Sequence, residues 1–224
     1  MPKRANLLYY PELKINDFTY IRLEAQMKSK INPTIRIIMK RIFIGLKTEP
    51  LPRLKHCVKT LSHHLSGEKI KWVNPDNWHL TLHFLGNTSP QLIERIDEIL
   101  SHSATQSNSF TLTFKGLGIF PNLHRPKILW AGIDESPQMM DLYQYLFPKL
   151  KALNFELDKR PYAPHLTLAR IKKLSPDFDL MKKLEKYQSK YWGQLHIKEV
   201  TLFESVTKQE GPSYVPISKY TLGR

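Results

Sequence analysis

The tetrapeptide His-Leu-Thr-Leu occurs twice in this chain, at residues 79–82 and again 86 positions later at residues 165–168. On an extended strand, alternate side chains share one face of the sheet. Each copy therefore places a histidine and a threonine side by side on one face and two leucines on the other. We predict that the leucines belong to the core and that the two histidine–threonine pairs form the halves of one polar site.

The same offset aligns other features of the chain. It maps Ser89-Pro90 onto Ser175-Pro176, and a serine–proline pair, which also occurs at Ser136-Pro137, is typical of a helix start. It also maps the amphipathic segment Leu51–Ser66 onto Pro137–Ala152. Because helix starts align together with the tetrapeptides, we infer an internal duplication.

The duplicated halves lie at about residues 39–120 and 125–206. They predict an α+β fold with two pseudo-symmetric lobes, each an antiparallel sheet flanked by helices. The two histidine–threonine strands would then face each other across a cleft between the lobes, where ligand sites commonly lie. Near the end of the chain, Leu195–Val206 is predicted as one strand that pairs with Tyr214–Leu222, and Phe155–Asp158 as a short extended segment.

Residues 1–38 show no clear helical or strand period and have no counterpart in the duplication. We therefore expect an N-terminal extension outside the fold, with flexibility as one interpretation of its irregular pattern. A compact strand pattern begins directly after Met39. Met39 is thus a candidate for the first residue of the folded unit, or even for the start of translation.

Composition limits the class of protein. The chain has 41% hydrophobic and 24% charged residues, which is typical of a globular protein. No stretch approaches the roughly 20 apolar residues of a membrane helix, and the first residues lack the apolar core of a secretory signal. From the absence of such a stretch we expect no membrane partner. The single cysteine, Cys57, fits a reducing compartment, so we expect a cytoplasmic protein. The net charge of +14 is compatible with a basic solvated surface, but together with the repeated histidine–threonine pair, which suits an anionic substrate, it favours a polyanionic partner such as RNA.

Two histidines that converge on one ligand are suited to acid–base catalysis. Imidazole has an ordinary pKa of about 6.5, so one ring can be neutral while its partner is charged near pH 7. The threonine hydroxyl two residues on, at Thr81 and at Thr167, can donate to an oxygen that gains charge in the transition state. No serine or cysteine occupies a place suited to a nucleophile, and Cys57 is expected in the core. A single such pair would be an ordinary strand feature, but two aligned pairs favour a shared site.

Other polar residues have two interpretations each. His83 is predicted on the same strand face as His79, where it would support the site or suggest a metal, although a zinc site at this spacing needs a helix. His63 and His64 are expected on a solvated helix face. Arg125 and Arg170 could each contact a phosphate or lie in solvated turns.

The whole pattern resembles the 2H phosphoesterase superfamily, which is named for two His-x-Thr/Ser motifs. Within it, the chain is most similar to the RNA 2′,3′-cyclic phosphodiesterases, formerly called 2′-5′ RNA ligases. The resemblance covers the chain from Met39 onward and rests on four segments: Arg41-Ile-Phe43-Ile, His79-Leu-Thr-Leu-His-Phe84-Leu-Gly86, Arg125-Pro-Lys-Ile-Leu-Trp130 and Pro164-His165-Leu-Thr-Leu-Ala-Arg170.

The resemblance implies a bilobal α+β fold that hydrolyses RNA 2′,3′-cyclic phosphate ends to 2′-phosphomonoesters without a metal or a cofactor. It implies that His79 is the proton donor and His165 the proton acceptor, with the two threonines assisting. Phe43, Arg125 and Arg170 are expected to bind substrate. The expected partner is RNA with cyclic phosphate ends, with tRNA fragments as one candidate source, and we expect a monomer.

Two alternatives remain open from the sequence. The same cleft could join RNA ends in a 2′-5′ linkage, or it could bind RNA ends without turnover.

Overall fold

The computed structural model describes residues 38–122, 124–208 and 211–223. The predicted N-terminal extension therefore lies, apart from Ile38, outside the described residues. Within them the chain forms four α-helices and nine β-strands. The helices are α1 (Pro52–His64), α2 (Pro90–Gln106), α3 (Pro137–Ala152) and α4 (Leu180–Leu184). The strands are β1 (Lys40–Lys47), β2 (Lys69–Trp72), β3 (His79–Thr88), β4 (Phe110–Phe120), β5 (Ile128–Ile133), β6 (His165–Lys173), β7 (Tyr191–Ile197), β8 (Glu199–Lys208) and β9 (Gly211–Thr221).

Two helices begin as their serine–proline pairs predict. Ser89 Oγ accepts a hydrogen bond from Leu92 N at 3.4 Å, and Ser136 Oγ accepts one from Met139 N at 3.4 Å. A proline follows each serine, at a position whose N–H would have no partner within the helix. Each helix then buries one face at helical spacing, through Ile93, Ile96 and Leu100 in α2 and Leu142, Leu146 and Leu150 in α3. None of the described helices is both long and apolar enough to cross a membrane.

The third predicted helix start, Ser175-Pro176, is wrong, because α4 begins only at Leu180. Asp179 caps that helix by accepting a backbone N–H of its first turn at 3.0 Å. Ser175 instead donates its N–H to a carboxylate oxygen of Glu68 at 2.6 Å, and its carbonyl accepts from Phe178 N at 3.1 Å. The carboxylate of Glu68, distant in the sequence, thus satisfies the amide of Ser175, and a local backbone bond closes a turn there in place of a helix start.

The predicted strand Leu195–Val206 is in fact two strands, β7 and β8, with Lys198 between them. β7 lies at one end of the sheet and pairs with β4, whereas β8 lies near the other end and pairs with β1. One residue can separate them only because the sheet curls until its ends come together. β8 pairs with β9 as predicted. The segment Phe155–Asp158 joins no strand.

The described strands form one antiparallel sheet in the order β7-β4-β5-β6-β3-β1-β8-β9, with β2 added to β6. The predicted α+β class is confirmed, and the sheet consists of two half-sheets that meet where β3 and β6 pair through Leu80 and Leu166. Strands are exchanged between the halves: β4 belongs to the first half of the sequence but pairs with β5 and β7 of the second. In return, β8 from the second half pairs with β1.

The motif leucines face the core as predicted. Leu80, Leu82, Leu166 and Leu168 are all buried. Burial of four leucines sets the orientation of both strands, because an alternating strand that buries its leucines must present the intervening residues on the opposite face.

Each motif strand contains a β-bulge at the same place. In β3 the register with β1 skips Leu82, and in β6 the register with β5 skips Leu168, which lies 86 positions later. A bulge adds one unpaired residue and so reverses the alternation beyond it. The residues five positions after the motif histidines, Phe84 and Arg170, therefore lie on the same face as those histidines.

Candidate active site

The pair Leu80–Leu166 sets the geometry of the site. In an antiparallel pair, the residue before one partner lies opposite the residue after the other. His79 therefore lies level with Thr167, and His165 level with Thr81. Both histidine–threonine pairs are half-buried on the face opposite the leucines. The structure thus brings the two predicted pairs together.

A cleft of about 720 Å³ opens on this face. Its lining includes His79, Thr81 and Thr167, together with the predicted binding residues Phe43 and Arg170. His165 is not one of the lining residues, but it lies close enough to His79 for its charge to lower the pKa of His79. The cleft is therefore bordered by polar groups from both halves of the sequence.

The two histidines are held in the same way, each by the backbone carbonyl two residues before it, just ahead of its strand. Nδ1 of His79 lies 2.8 Å from the carbonyl oxygen of Asn77, and Nδ1 of His165 lies 2.8 Å from that of Ala163. A carbonyl oxygen only accepts, so each Nδ1 carries the hydrogen and donates it. Each neutral ring consequently has its lone pair on Nε2, the atom that can accept or return a proton.

Burial is the main reason why the pKa of His79 falls from its ordinary 6.5 to about 4, and the positive charges of Lys47 and Arg170 and the proximity of His165 lower it further. Burial also lowers the pKa of His165. Both rings are thus neutral near pH 7 in the free protein. An anionic ligand would oppose these causes, because it would place a negative charge beside the rings.

Aromatic rings fix the position of each histidine. The ring centroid of His79 lies 4.8 Å from that of Phe43 and 4.5 Å from that of Tyr214. The ring of His165 lies 4.9 Å from Phe120, edge to face. Tyr214 comes from β9, far along the chain, and is not among the site residues predicted from the sequence. No local signal could have identified it, since its place depends on the pairing of β8 with β1 and β9.

Trp130 also borders His165, with ring centroids 6.4 Å apart. Its indole lies across Gly118 of the neighbouring strand. A β-carbon at Gly118 would lie only 2.2 Å from the indole. Glycine is therefore required for Trp130 to lie flat on β4 beside the histidine.

The prediction that His83 shares the face of His79 is wrong. The bulge at Leu82 turns His83 into the core, where it is 3% exposed. Its Nε2 lies 3.0 Å from the carbonyl oxygen of Tyr143, and its ring stacks on that tyrosine at 4.3 Å. Burial lowers the pKa of His83. A metal site shared by His79 and His83 is excluded, because the two side chains lie on opposite faces of the sheet.

A tyrosine stack connects this core to the first motif. Tyr162 stacks on Tyr143 with ring centroids 4.0 Å apart. Its hydroxyl donates to the backbone carbonyl of Thr81 at 2.9 Å. Tyr162 precedes the second motif by three residues, so a residue from the second half of the sequence directly holds the backbone of the first motif. The local sequence around Tyr162 carries no signal for this role, because the contact depends on how the two halves pack.

Arg125 lies apart from the cleft lining. It is exposed in the connection between β4 and β5, where Asn122 Oδ1 accepts from Arg125 N at 3.1 Å. Its predicted role in substrate binding stays a prediction. His63 and His64 are exposed on α1, and Cys57 is buried, as expected. Among the described residues, no three His, Cys, Asp or Glu side chains lie close enough together to hold a metal ion.

A duplicated α+β sheet that brings one histidine–threonine pair from each half to a single cleft is the architecture of the 2H phosphoesterases. The model of the family described as LigT like Phosphoesterase matches this chain twice, over residues 44–130 and 132–214. The chain therefore belongs to the LigT-like phosphoesterase family, and the resemblance inferred from its motifs is confirmed. The double match agrees with the internal duplication.

Curated relatives carry one activity in their names. The chain is 34% identical to the RNA 2′,3′-cyclic phosphodiesterase of Archaeoglobus fulgidus over 78% of its own length and 96% of that protein. It is 29% identical to the enzyme of the same name from Methanocaldococcus jannaschii, over 80% of this chain and 99% of that one.

Solved structures share the fold. The crystal structure of E. coli LigT complexed with 3′-AMP matches with a TM-score of 0.67 and 22% identity, over 84% of this chain and all of that chain. The crystal structure of TT0787 from Thermus thermophilus matches with a TM-score of 0.66 and 23% identity, over 81% of this chain and 97% of that one.

Proposed function

We propose that this protein hydrolyses the 2′,3′-cyclic phosphate at an RNA end to a 2′-phosphomonoester. The observation that supports this most directly is the symmetric presentation of His79 and His165, each with Nδ1–H held by a backbone carbonyl and its lone pair on Nε2. The curated relatives named RNA 2′,3′-cyclic phosphodiesterase support the choice of substrate.

In the reaction, Nε2 of His165 accepts a proton from water as the water oxygen attacks phosphorus. The bond between phosphorus and the 3′ oxygen breaks, and protonated His79 gives its proton to that oxygen. The products are a 2′-phosphate and a free 3′ hydroxyl. The assignment of donor and acceptor follows the family resemblance, because two symmetric rings could exchange these roles.

Thr81 and Thr167 supply hydroxyl donors for the non-bridging phosphate oxygens, which gain charge in the transition state. Arg170 lies on the same face and adds a fixed positive charge. Loss of either threonine should therefore cost less than loss of either histidine, because each removes one donor among several.

The low pKa of His79 in the free protein has a consequence for this mechanism. A donor with a pKa of about 4 holds little of its proton near pH 7. The anionic cyclic phosphate would raise the pKa by placing a negative charge beside the ring. We infer that the substrate itself promotes the protonation of its general acid.

A turnover assay tests this function. A short RNA that ends in a 2′,3′-cyclic phosphate is incubated with the protein, and the products are compared with authentic 2′- and 3′-phosphate standards. We expect the 2′-phosphate alone. Joined products with a 2′-5′ linkage would favour end-joining, and tight binding without any product would favour an RNA-end-binding module. His79→Ala and His165→Ala provide the inactive controls.

The partners follow from this substrate. RNA with cyclic phosphate ends is the proposed partner, and tRNA fragments stay a prediction that a pull-down with sequencing of bound 3′ ends can test. The monomeric state and the cytoplasmic location also stay predictions.

A further inference from the structure

A single turn of 3₁₀ helix at Pro75–Asn77 leads directly into the first motif strand. The side chain of Asn74 caps this turn by accepting from Asp76 N at 3.0 Å. A helical turn leaves its last carbonyls without partners inside the turn, so other groups must satisfy them. The carbonyl of Asn77 accepts from Nδ1 of His79 at 2.8 Å. The position of the turn therefore sets the orientation of the His79 ring.

Lys47 holds the neighbouring carbonyl of the same turn. Its ammonium donates to the backbone oxygen of Asp76, the residue just before Asn77. Lys47 is the last residue of β1 and lies opposite His79, the first residue of β3. Two successive carbonyls of one turn are thus held by the ammonium and by the motif ring. A hydrogen bond from a charged donor is stronger than one from a neutral donor, so Lys47 is a firm anchor for the turn.

The charge of Lys47 also reaches the ring. Burial is the largest cause of the low pKa of His79, and the positive charge of Lys47 lowers that pKa further. Arg170 and His165 of β6 act in the same direction, and Tyr214 of β9 faces the ring with centroids 4.5 Å apart. The electrostatics therefore agree with the strand pairing that Lys47 is a close neighbour of His79.

The second motif has an uncharged residue at the corresponding place. The β5 residue opposite His165 is Gly132. The residue 86 positions after Lys47, the offset of the duplication, is Ile133. The duplication repeats the backbone bond to each ring, but among the described residues the ammonium anchor occurs only beside His79.

We propose that Lys47 is a positioning residue that holds the Pro75–Asn77 turn and thereby fixes the Nδ1–H tautomer and the orientation of His79 alone. It acts through the ring and not on the substrate, since it is not among the described residues that line the cleft. Its effect on turnover rests on the proposed function, whereas its effect on the ring does not.

The tautomer of the ring can be measured without turnover. The ¹⁵N NMR shifts of a neutral imidazole distinguish Nδ1–H from Nε2–H, and the signals are assigned by their loss in His79→Ala and His165→Ala. Lys47→Met keeps the apolar stem and removes the ammonium from an exposed position. It should convert part of the His79 population to the Nε2–H form, raise the pKa of His79, and leave the tautomer of His165 unchanged. Lys47→Arg keeps the charge and the donors, so it should restore the His79 signals.

Turnover gives a second measurement. At the pH of maximal kcat, Lys47→Met should lower kcat for a 2′,3′-cyclic phosphate end by about 10- to 100-fold, the effect of a slightly misplaced catalytic group, with KM little changed. Lys47→Arg should recover most of this loss. A phosphodiester with a p-nitrophenolate leaving group needs no proton from His79, so its hydrolysis should change less than about twofold.

The chain offers a matched control at Lys219, an exposed cation of β9. Burial lowers the pKa of Lys47, and the charge of Lys219 lowers it further, so the two ammonium groups are neighbours. The ammonium of Lys219, however, pairs with the carboxylate of Glu199 at 3.7 Å. Lys219→Met removes the same charge nearby and should leave the His79 tautomer and kcat unchanged.

An unchanged His79 tautomer in Lys47→Met would overturn the proposal. Equal changes at His79 and His165, or the same change in Lys219→Met, would also overturn it, because they would indicate a general effect of charge or packing. Equal losses of kcat on both substrates would show that Lys47 supports the cleft as a whole and not one proton donor. If the unmodified protein hydrolyses no cyclic phosphate, the proposed function fails, and the NMR spectra by themselves decide the role of Lys47.

Discussion

Leu80 pairs with Leu166 across the centre of the sheet, and the two residues are 86 positions apart, the same offset that relates the two motifs. The pair therefore lies on the pseudo-two-fold axis of the duplication. Both leucines are fully buried. Each thereby places the histidine and threonine of its own strand on the opposite face, and one residue pair brings two distant motifs to a common cleft.

The division of labour between the histidines can be tested with a good leaving group. His79→Ala and His165→Ala should each lower turnover of a cyclic phosphate by roughly 10² to 10⁴-fold, the usual contribution of a positioned acid or base. A phosphodiester with a p-nitrophenolate leaving group needs no proton donor. It should restore activity to His79→Ala and not to His165→Ala, and rescue of the other variant would reverse the two roles.

The pH dependence of kcat/KM should differ from that of kcat. The active free enzyme carries one proton on the two rings, and both pKa values lie below the ordinary 6.5, with that of His79 at about 4. Raising the pH removes this proton, so kcat/KM should decline on the alkaline side of its profile, with the midpoint of that decline below pH 6.5. Bound phosphate should raise the pKa of His79 and shift the alkaline limb of kcat to higher pH. If the alkaline limbs of kcat and kcat/KM have the same midpoint, bound substrate does not raise the pKa of His79.

The stability of the protein should decrease as the pH falls from 7 to 5. The pKa of buried His83 is lowered in the folded state, so the unfolded chain binds more protons in this range and is favoured by acid. His83→Gln keeps a side-chain N–H for the Tyr143 carbonyl but cannot titrate. Urea unfolding at several pH values should show a smaller slope for this variant, by at most about 1.4 kcal/mol per pH unit. Exposed His64→Gln serves as control, and an unchanged slope in His83→Gln would show that other groups cause the loss.

Tyr162→Phe should impair the first motif without contact with the substrate. It removes the hydrogen bond to the Thr81 carbonyl and should cost about 1 kcal/mol of unfolding free energy. Because Thr81 lines the cleft, kcat should also fall severalfold while KM changes little. Tyr220→Phe is a matched control, since Tyr220 donates to Asp97 at 2.8 Å outside the cleft, and it should lower stability alone. An unchanged kcat in Tyr162→Phe would limit the role of Tyr162 to packing.

Activity should survive an excess of chelator. Two acid–base histidines and two hydroxyl donors can perform the proposed hydrolysis without a Lewis acid. Turnover should therefore be the same before and after dialysis against EDTA. Loss of activity that a single divalent ion restores would show that the reaction needs a metal.

The local sequence determined which strand side chains are buried and where a capped helix begins, because both depend on residues that are close together in the chain. The alternation in each His-Leu-Thr-Leu segment predicted which side chains are buried, and Ser89-Pro90 predicted a helix start, because capping and alternation act within a few residues. The two polar pairs could be assigned to one site because the offset of 86 residues relates them. Ser175-Pro176 shows the limit of this reasoning, since the carboxylate of distant Glu68 holds the amide of Ser175.

Tertiary structure decided what depends on the partner strand. The bulges that turn His83 inward and Phe84 and Arg170 outward exist only in the registers of β3 with β1 and of β6 with β5. Tyr214 reaches His79 only because the curled sheet exchanges strands between the halves. A strand sequence specifies its own alternation, but the point at which that alternation reverses is set by hydrogen bonds to another strand, and so it follows from the assembled sheet.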